Sequence, residues 1–335
     1  MEYRQLGTSD LQVSAVGLGG NTFGPPRLDQ EQTTKNINRA LELGINFIDT
    51  AIGYGEGNSE RFIGNTMKGK WDQLIIATKF NLRNRKDGQS VRDRIFAHCE
   101  ESLTKLQTDH IDLLQLHQPD PSVQEEEVME PLAALVEQGK VRYLGVSNYG
   151  AWRHAVTNKV AEQHGWPLMV SSQNHYNVLR RHVELEILPY CQRFNVGFLP
   201  YFPLGGGFLT GKYQPGQAAP EGSRGAEGSG IISKTRNTRN EAVLETLNTF
   251  SQERGHTVLE LAFSWLLAHK QVSSVIAGTS SIAQVEANVA AAEWTLSPEE
   301  FEEVNQLAAW DGTGEVVDGS SGGVGSRAAQ AQRPQ

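Results

Sequence analysis

Short apolar segments alternate with longer amphipathic segments along most of this chain, from about residue 14 to residue 290. A short and continuously apolar run is typical of a strand that is buried on both faces, whereas apolar residues repeated every three or four positions indicate a helix. The predicted strands are 14–18, 46–49, 74–79, 111–117, 141–147, 168–173, 196–201 and 273–278. This alternation predicts an α/β fold with a parallel sheet that helices cover.

Eight strand-helix units are the number that closes a (β/α)8 barrel, or TIM barrel. An open, doubly wound sheet shows the same alternation, but it concentrates chemistry at one switch point, whereas all the loops of a barrel surround one mouth. Here a polar residue or a glycine ends nearly every predicted strand: Asp49, Lys79, His117, Ser147, Gln173, Tyr201 and Gly278. The sequence therefore favours a closed barrel with these residues around its mouth.

Four segments lie outside the repeat. Residues 2–14 are predicted as an N-terminal β-hairpin, and residues 297–309 as an extra C-terminal helix capped by Ser297. Residues 213–233 are rich in Gly, Pro and Ser and predict a mobile loop. The low-complexity residues 311–335 are predicted to be a disordered tail, so we expect one barrel domain over residues 1–310.

Charge and composition exclude several classes of partner. The chain has 30 basic and 39 acidic residues, a formal net charge of −9, and its basic residues are scattered, which argues against nucleic acid or an anionic membrane. The N-terminus carries no secretory signal pattern, and two cysteines far apart fit a reducing compartment. We expect a cytoplasmic protein that acts on a small molecule, and we assign it no metal ligands and no oligomeric state.

The polar residues at successive strand ends suit the reduction of a carbonyl group. Reduction by a nicotinamide coenzyme needs a hydride donor and an acid that protonates the carbonyl oxygen. A tyrosine can be that acid if a nearby cation lowers its pKa from about 10. Tyr54, with Lys79 held by Asp49, is a candidate for this arrangement, and His117 is a candidate to orient the oxygen. Each residue alone has an ordinary structural explanation, and it is their joint placement that favours catalysis.

The same segments resemble the aldo-keto reductase superfamily, in the order that family has them. The similar stretches are 44–64, 74–80, 111–121, 139–149, 171–179, 199–213 and 276–291. The chain is most similar to the branch that includes bacterial glyceraldehyde-phosphate-type reductases and potassium-channel beta subunits. The resemblance implies NADPH-dependent reduction of an aldehyde or ketone to an alcohol, with a catalytic tetrad of Asp49, Tyr54, Lys79 and His117.

The resemblance also implies an NADP(H) site at the same end of the barrel. Ser147, Asn148 and Gln173 would hold the nicotinamide carboxamide, and Tyr201 would stack on its ring. The other implied contacts are Asp49, Gly20, Asn21, Pro203, Leu204, Gly205, Gly206, Lys212, Gly278, Thr279, Ser280, Gln284 and Asn288. Many relatives carry Lys or Arg for the 2′-phosphate near positions 280 and 281, where this chain has serines. Ser280 and Ser281 can still hydrogen-bond a phosphate at the N-terminus of a helix, and Arg224 in the glycine-rich loop is the candidate cation.

Other interpretations fit parts of the sequence. The segment 17–24 resembles a dinucleotide glycine fingerprint but lacks its third glycine, so it is predicted as the first barrel loop. A coenzyme-binding sensor without catalysis is a second interpretation, which the presence of His117 disfavours. A Schiff-base aldolase acting through Lys79 is a third, which a paired Asp49 disfavours. The substrate mouth is expected to include Phe23, Phe80 and Gln118.

Overall fold

The structure is a computed structural model that describes residues 1–83, 88–213, 217–221, 223 and 225–309. Its centre is a closed barrel of eight parallel strands, and an antiparallel hairpin precedes that barrel in the chain. The described strands are β1 Tyr3–Gln5, β2 Gln12–Ser14, β3 Val16–Gly19, β4 Phe47–Asp49, β5 Ile75–Phe80, β6 Ile111–Leu116, β7 Val141–Ser147, β8 Met169–His175, β9 Gly197–Tyr201 and β10 Val275–Gly278.

Helices surround the barrel and cover the outer faces of its strands. The described helices are α1 Gln30–Glu42, α2 Ser59–Met67, α3 Val91–Leu106, α4 Glu125–Glu137, α5 Ala151–His164, α6 Ile187–Phe194, α7 Gly230–Thr235, α8 Thr238–Glu253, α9 Val258–Leu267, α10 Ile282–Ala290 and α11 Pro298–Leu307. Short 3₁₀ segments lie at Gly20–Thr22, Tyr54–Gly57, Trp71–Gln73, His182–Glu184 and Gly205–Thr210.

The pairing of the last barrel strand confirms the closed barrel and excludes the open sheet. β10 pairs in parallel with β3, with Val275 opposite Val16, and also with β9, with Ile276 opposite Tyr201. Each predicted strand forms within a few residues of its predicted bounds. The (β/α)8 prediction therefore holds, because short buried strands and long amphipathic helices are the signals that periodicity reports best.

The two additions to the barrel are also confirmed. β1 and β2 pair antiparallel, and Leu6, Leu11 and Val13 of the hairpin pack against the apolar side chains inside the barrel. At the other end of the chain, the Ser297 side chain accepts a hydrogen bond from the Glu300 amide, and the Glu300 side chain accepts one from the Ser297 amide. This capping box starts α11 where the sequence predicts it.

Side chains inside the barrel change from apolar to polar towards the C-terminal ends of the strands. Because alternate residues of a strand face the same side, Phe47 and Asp49 share one face of β4, and Leu113 and Gln115 share one face of β6. Phe47 and Leu113, which come earlier in their strands, belong to a buried apolar cluster that also contains Leu6, Leu11 and Val13 of the hairpin. The polar residues above them are thereby gathered at one mouth.

The segment predicted as a mobile loop, 213–233, contains the start of a helix. Residues 230–233 belong to α7, in which Ile232 is buried, and both Ile231 and Ile232 lie against Gly206. Burial of Ile232 and partial burial of Ile231 explain a helix that the Gly and Ser content of the segment did not predict. Residues 310–335, which include the predicted tail, lie outside the described residues. No described helix has both the length and the apolar character needed to cross a bilayer.

We predict that Gly7→Ala lowers the free energy of unfolding by about 2–5 kcal/mol. Gly7 has a φ of +56°, and a Cβ there would lie 2.3 Å from the Val170 carbonyl oxygen. Gly165→Ala is the matched control, since Gly165 has a φ of +68° but no atom within 4 Å of its Cβ position. Its cost should be about 1–2 kcal/mol, from the left-handed backbone alone. Urea unfolding of both variants is the measurement, and equal losses would contradict close packing of the hairpin.

Candidate active site

A buried ion pair joins Asp49 at the end of β4 to Lys79 near the end of β5. The Lys79 Nζ donates hydrogen bonds to Asp49 Oδ2 at 2.7 Å and to the Thr50 carbonyl oxygen at 2.8 Å. Lys79 has no exposed surface, and Asp49 is 3% exposed. Burial opposes the charged ammonium, but the charge of Asp49 and the oxygen of Tyr54 outweigh it, so the pKa of Lys79 is raised. A charged, enclosed lysine is a poor imine-forming nucleophile, which disfavours the aldolase interpretation.

The second carboxylate oxygen of Asp49 accepts two amide hydrogen bonds. Gln173 Nε2 donates to Asp49 Oδ1 at 2.8 Å, and Gln115 Nε2 donates to the same atom at 3.2 Å. Gln173 was predicted as a site residue, whereas Gln115 was not. The sequence contains a signal for Gln115, because a polar side chain follows Leu113 on the same face of β6, a strand in which Asp112 is the only other polar residue.

The Tyr54 loop holds the phenol above this ion pair. The Lys79 Nζ lies 5.1 Å from the centroid of the Tyr54 ring. Gly55 turns the chain with a φ of +57°, and a Cβ there would lie 2.0 Å from the Phe23 carbonyl oxygen, so the loop packs closely on the first barrel loop. The Ser59 hydroxyl links the same two loops, since it bonds to the Thr50 hydroxyl and donates to the Gly20 carbonyl.

Burial sets the direction of the Tyr54 pKa. Burial raises this pKa, the charge of Lys79 lowers it and the charge of Asp49 raises it, and the net shift is upward. The net lowering expected from the sequence is therefore wrong for this structure. The physical reason is that one ammonium already paired with a carboxylate does not offset the desolvation of a phenolate. The phenol accordingly keeps its proton at neutral pH.

His117 completes the group from the end of β6. Its ring centroid lies 5.7 Å from that of Tyr54, with the two rings nearly perpendicular at 77°. Burial, together with the charges of Lys79 and Arg83, lowers the pKa of His117 to about 3. The imidazole is therefore neutral at physiological pH, and it has one N–H to donate and one nitrogen to accept.

The predicted nicotinamide-binding residues form a hydrogen-bonded chain beside His117. The Asn148 amide donates to the His117 carbonyl oxygen at 3.0 Å and to the Ser147 Oγ at 3.1 Å. The Tyr201 hydroxyl donates to Asn148 Oδ1 at 2.7 Å. Asn148 has a φ of +60°, a left-handed conformation that Asn tolerates better than most residues. The side chains that the sequence places on separate strands thus meet at one end of the mouth.

These groups open onto a cavity of about 650 Å³, within the usual range for small-molecule and coenzyme sites. Most of the predicted residues line it, namely Asn21, Asp49, Tyr54, His117, Ser147, Asn148, Gln173, Tyr201, Pro203, Leu204, Gly206, Lys212, Gly278, Ser280, Gln284 and Asn288. The cavity therefore runs from the tetrad, past the glycine-rich segment after β9, to the first turn of α10.

Several predicted residues do not line this cavity. Lys79 lies beneath Asp49, Gly20 lies against Ser59, and Gly205 lies against Thr235. Thr279 is 1% exposed, and its carbonyl oxygen accepts a hydrogen bond from Thr22. Arg224 lies outside the described residues.

The expected substrate mouth needs correction at two positions. Phe23 and Phe80 are 0% and 1% exposed, belong to the hydrophobic core and do not line the cavity. Their large apolar side chains are better accommodated by burial between barrel and helices than at a polar mouth. Gln118 does line the cavity, as expected.

Other residues that line the cavity are not predicted from the sequence. They include Thr22, Arg27, Phe202, Thr210, Ser223 and Leu259. Arg27, in the first loop, forms an ion pair with Glu227, 200 positions later in the glycine-rich loop. Because no local pattern connects such distant residues, only the folded chain reveals that the two loops meet beside the cavity.

The chain is similar to known proteins along most of its length. The model of the Aldo/keto reductase family matches residues 15–309. The chain is 33% identical over 320 residues to a putative voltage-gated potassium channel subunit beta of Schizosaccharomyces pombe, covering 91% of this chain and 92% of that protein. It is 33% identical over 316 residues to aldo-keto reductase YhdN of Bacillus subtilis, covering 92% and 93%.

A third relative is an enzyme named for its substrate. The chain is 28% identical over 332 residues to versiconal hemiacetal acetate reductase of Aspergillus parasiticus, covering 90% of this chain and 95% of that protein. The barrel and the polar cluster at its mouth place the chain among TIM-barrel oxidoreductases that act on carbonyl groups. The chain belongs to the aldo/keto reductase family. Members of this family generally use a nicotinamide coenzyme.

We predict that the His117 ring does not titrate between pH 8 and pH 5. Since burial and two neighbouring cations lower its pKa to about 3, the neutral form should persist as the pH falls through this window. The ring C–H resonances, assigned with a His117→Gln variant, provide the measurement. A midpoint between pH 6 and 7 would show that the ring is more solvated than the structure has it.

Proposed function

We propose that this protein reduces an aldehyde or ketone to an alcohol with NADPH, and that Tyr54 is the general acid. The observation that carries the proposal is the shared cavity wall formed by the Tyr54 phenol and the neutral His117 ring, with the Lys79 ammonium 5.1 Å from the phenol ring. A carbonyl oxygen placed between the two rings would meet two neutral donors. A buried cation would stand behind the donor that gives up its proton.

The residues of the tetrad would act in sequence on that oxygen. NADPH, when bound, supplies the hydride to the carbonyl carbon. His117 and Tyr54 would each donate a hydrogen bond to the oxygen, which polarises the carbonyl group. As negative charge develops there, the Tyr54 proton would move to the oxygen, and Lys79 would stabilise the phenolate that remains. Asp49 would hold Lys79 in place throughout.

The lining of the cavity supports a dinucleotide in this position. At the tetrad end, Ser147, Asn148 and Gln173 offer hydroxyl and amide groups that match a carboxamide. In the middle, Gly206 lines the cavity without a side chain, so a pyrophosphate could approach its backbone, and Lys212 provides a cation for phosphate. At the far end, Ser280 and Gln284 lie at the N-terminus of α10.

The Tyr54→Phe variant is the principal test. Removal of the proton donor should lower kcat by about 10²–10⁴-fold, while the Kd for NADPH changes little, because the phenol acts on the substrate oxygen. The measurement is NADPH consumption with a panel of aldehydes and ketones, alongside NADPH fluorescence titration. Retention of near wild-type kcat would refute the role of Tyr54. If the wild type binds NADPH and reduces nothing in a broad panel, the sensor interpretation stands instead.

We further propose that NADPH is preferred over NADH, because serine hydroxyls at a helix N-terminus and Arg224 can bind the 2′-phosphate. The kcat/KM for NADPH should exceed that for NADH. Arg224→Ala should reduce this ratio, whereas Lys212→Ala, which affects the pyrophosphate common to both coenzymes, should weaken both alike. A ratio below one in the wild type would overturn the preference, and an unchanged ratio in Arg224→Ala would overturn the assignment of Arg224.

A further inference from the structure

Gln115 is a fully enclosed polar residue in a part of the barrel where an apolar residue would fit. It has no exposed surface and does not line the cavity. Its Nε2 donates to Asp49 Oδ1 at 3.2 Å, while its Oε1 has no hydrogen-bond partner among the described residues. A buried acceptor without a partner destabilises a fold, so an apolar side chain continuing the layer of Leu113 would be the more stable choice.

The packing around Gln115 leaves room for it. Gln115 lies opposite Lys79 on one neighbouring strand and opposite Gly145 on the other. A Cβ at Gly145 would lie 3.2 Å from the Gln115 Cγ and 2.2 Å from the Ser171 Oγ. The absence of a side chain at Gly145 keeps space beside Gln115, which extends across the barrel towards Asp49.

We propose that Gln115 is a positioning residue that fixes the orientation of Asp49, and through Asp49 that of Lys79, whether or not coenzyme is bound. The contrast with Gln173 points to this role. Both amides donate to Asp49 Oδ1, but Gln173 lines the cavity and has a second partner in the coenzyme if the proposed function holds. Gln115 is enclosed, so its amide remains committed to Asp49.

The hydrogen bond from Gln115 affects which oxygen of the Asp49 carboxylate faces Lys79. Two amides hold Oδ1, which leaves Oδ2 aligned with the Lys79 ammonium. The negative charge of Asp49 disfavours a phenolate at Tyr54, whereas Lys79 favours one. With one donor lost, more of the carboxylate charge would act on Tyr54, and the proton would leave the phenol less readily.

Gln115→Met tests the proposal, because methionine keeps the length and the unbranched shape but removes the amide. The rate of a single turnover is measured by rapid mixing of the NADPH complex with 4-nitrobenzaldehyde, an uncharged and reactive aldehyde. We expect this rate to fall about tenfold, the usual effect of one hydrogen bond to a charged group, with the Kd for NADPH within twofold of wild type. Loss of folded protein would lower the amplitude but not the rate constant.

A second measurement needs no coenzyme and no activity. The phenolate of Tyr54 is titrated by NMR in protein carrying ¹³C-labelled tyrosine, with the resonance assigned from Tyr54→Phe. In Gln115→Met its midpoint should move to higher pH. Gln115→Asn, whose shorter amide does not reach Asp49, should behave in the same way if Gln115→Met folds poorly. Ser171→Ala is the matched control, since it removes an equally buried polar group without a hydrogen bond to Asp49.

The outcomes separate this proposal from the proposed function. A single-turnover rate within twofold of wild type, or an unchanged Tyr54 midpoint, would overturn the role of Gln115, as would an equal effect of Ser171→Ala. Absence of wild-type turnover with every aldehyde and ketone of the panel would instead overturn the proposed function. In that case the midpoint of the Tyr54 titration still tests whether Gln115 orients the Asp49–Lys79 pair, because this measurement needs no turnover.

Discussion

The buried pair of Asp49 and Lys79 is the interaction on which the site depends. Removing two charges from water is unfavourable, and their attraction offsets this only when the remaining hydrogen-bonding capacity is satisfied. Here Lys79 bonds to two acceptors and Asp49 to three side-chain donors, and all of these contacts are buried. The donors come from three different strands, so the pair is stable only when the barrel has closed around it. Fold and site are thus coupled.

The sequence predicts the alternating strands and helices of the barrel and the polar residues at the ends of its strands. Strands such as 74–79 and 196–201 are recognised by their apolar runs, and Lys79 and Tyr201 by their position at the ends of those runs. These signals are local. A strand buried on both faces is mainly apolar, and the polar residue at its end lies at the mouth of the barrel, so both features can be read from a few consecutive residues. The resemblance to known reductases then assigned roles that the spacing alone could not.

What the sequence did not predict has identifiable physical causes. The polar character of Gln115 within a buried strand is visible in the sequence, but only the folded barrel shows that its amide bonds to Asp49. The ion pair of Arg27 and Glu227 joins loops that are far apart in the chain. The direction of the Tyr54 pKa depends on how much water the folded loops exclude, a quantity that the order of residues does not report.

The protonation states at the mouth suit a reaction that starts from a neutral site. Asp49 and Lys79 neutralise each other, burial keeps His117 uncharged, and burial keeps the proton on Tyr54. A neutral carbonyl group can therefore enter without meeting an unpaired charge of the tetrad. In the proposed reaction, charge would appear only as the carbonyl oxygen becomes negative, next to the Tyr54 and His117 side chains and with the buried Lys79 ammonium 5.1 Å from the Tyr54 ring centroid. Such preorganised groups act strongly because they do not have to reorient during the reaction. The upward shift of the Tyr54 pKa works against proton transfer, so the Lys79 ammonium beside the phenol ring is the group that would stabilise the phenolate as it forms.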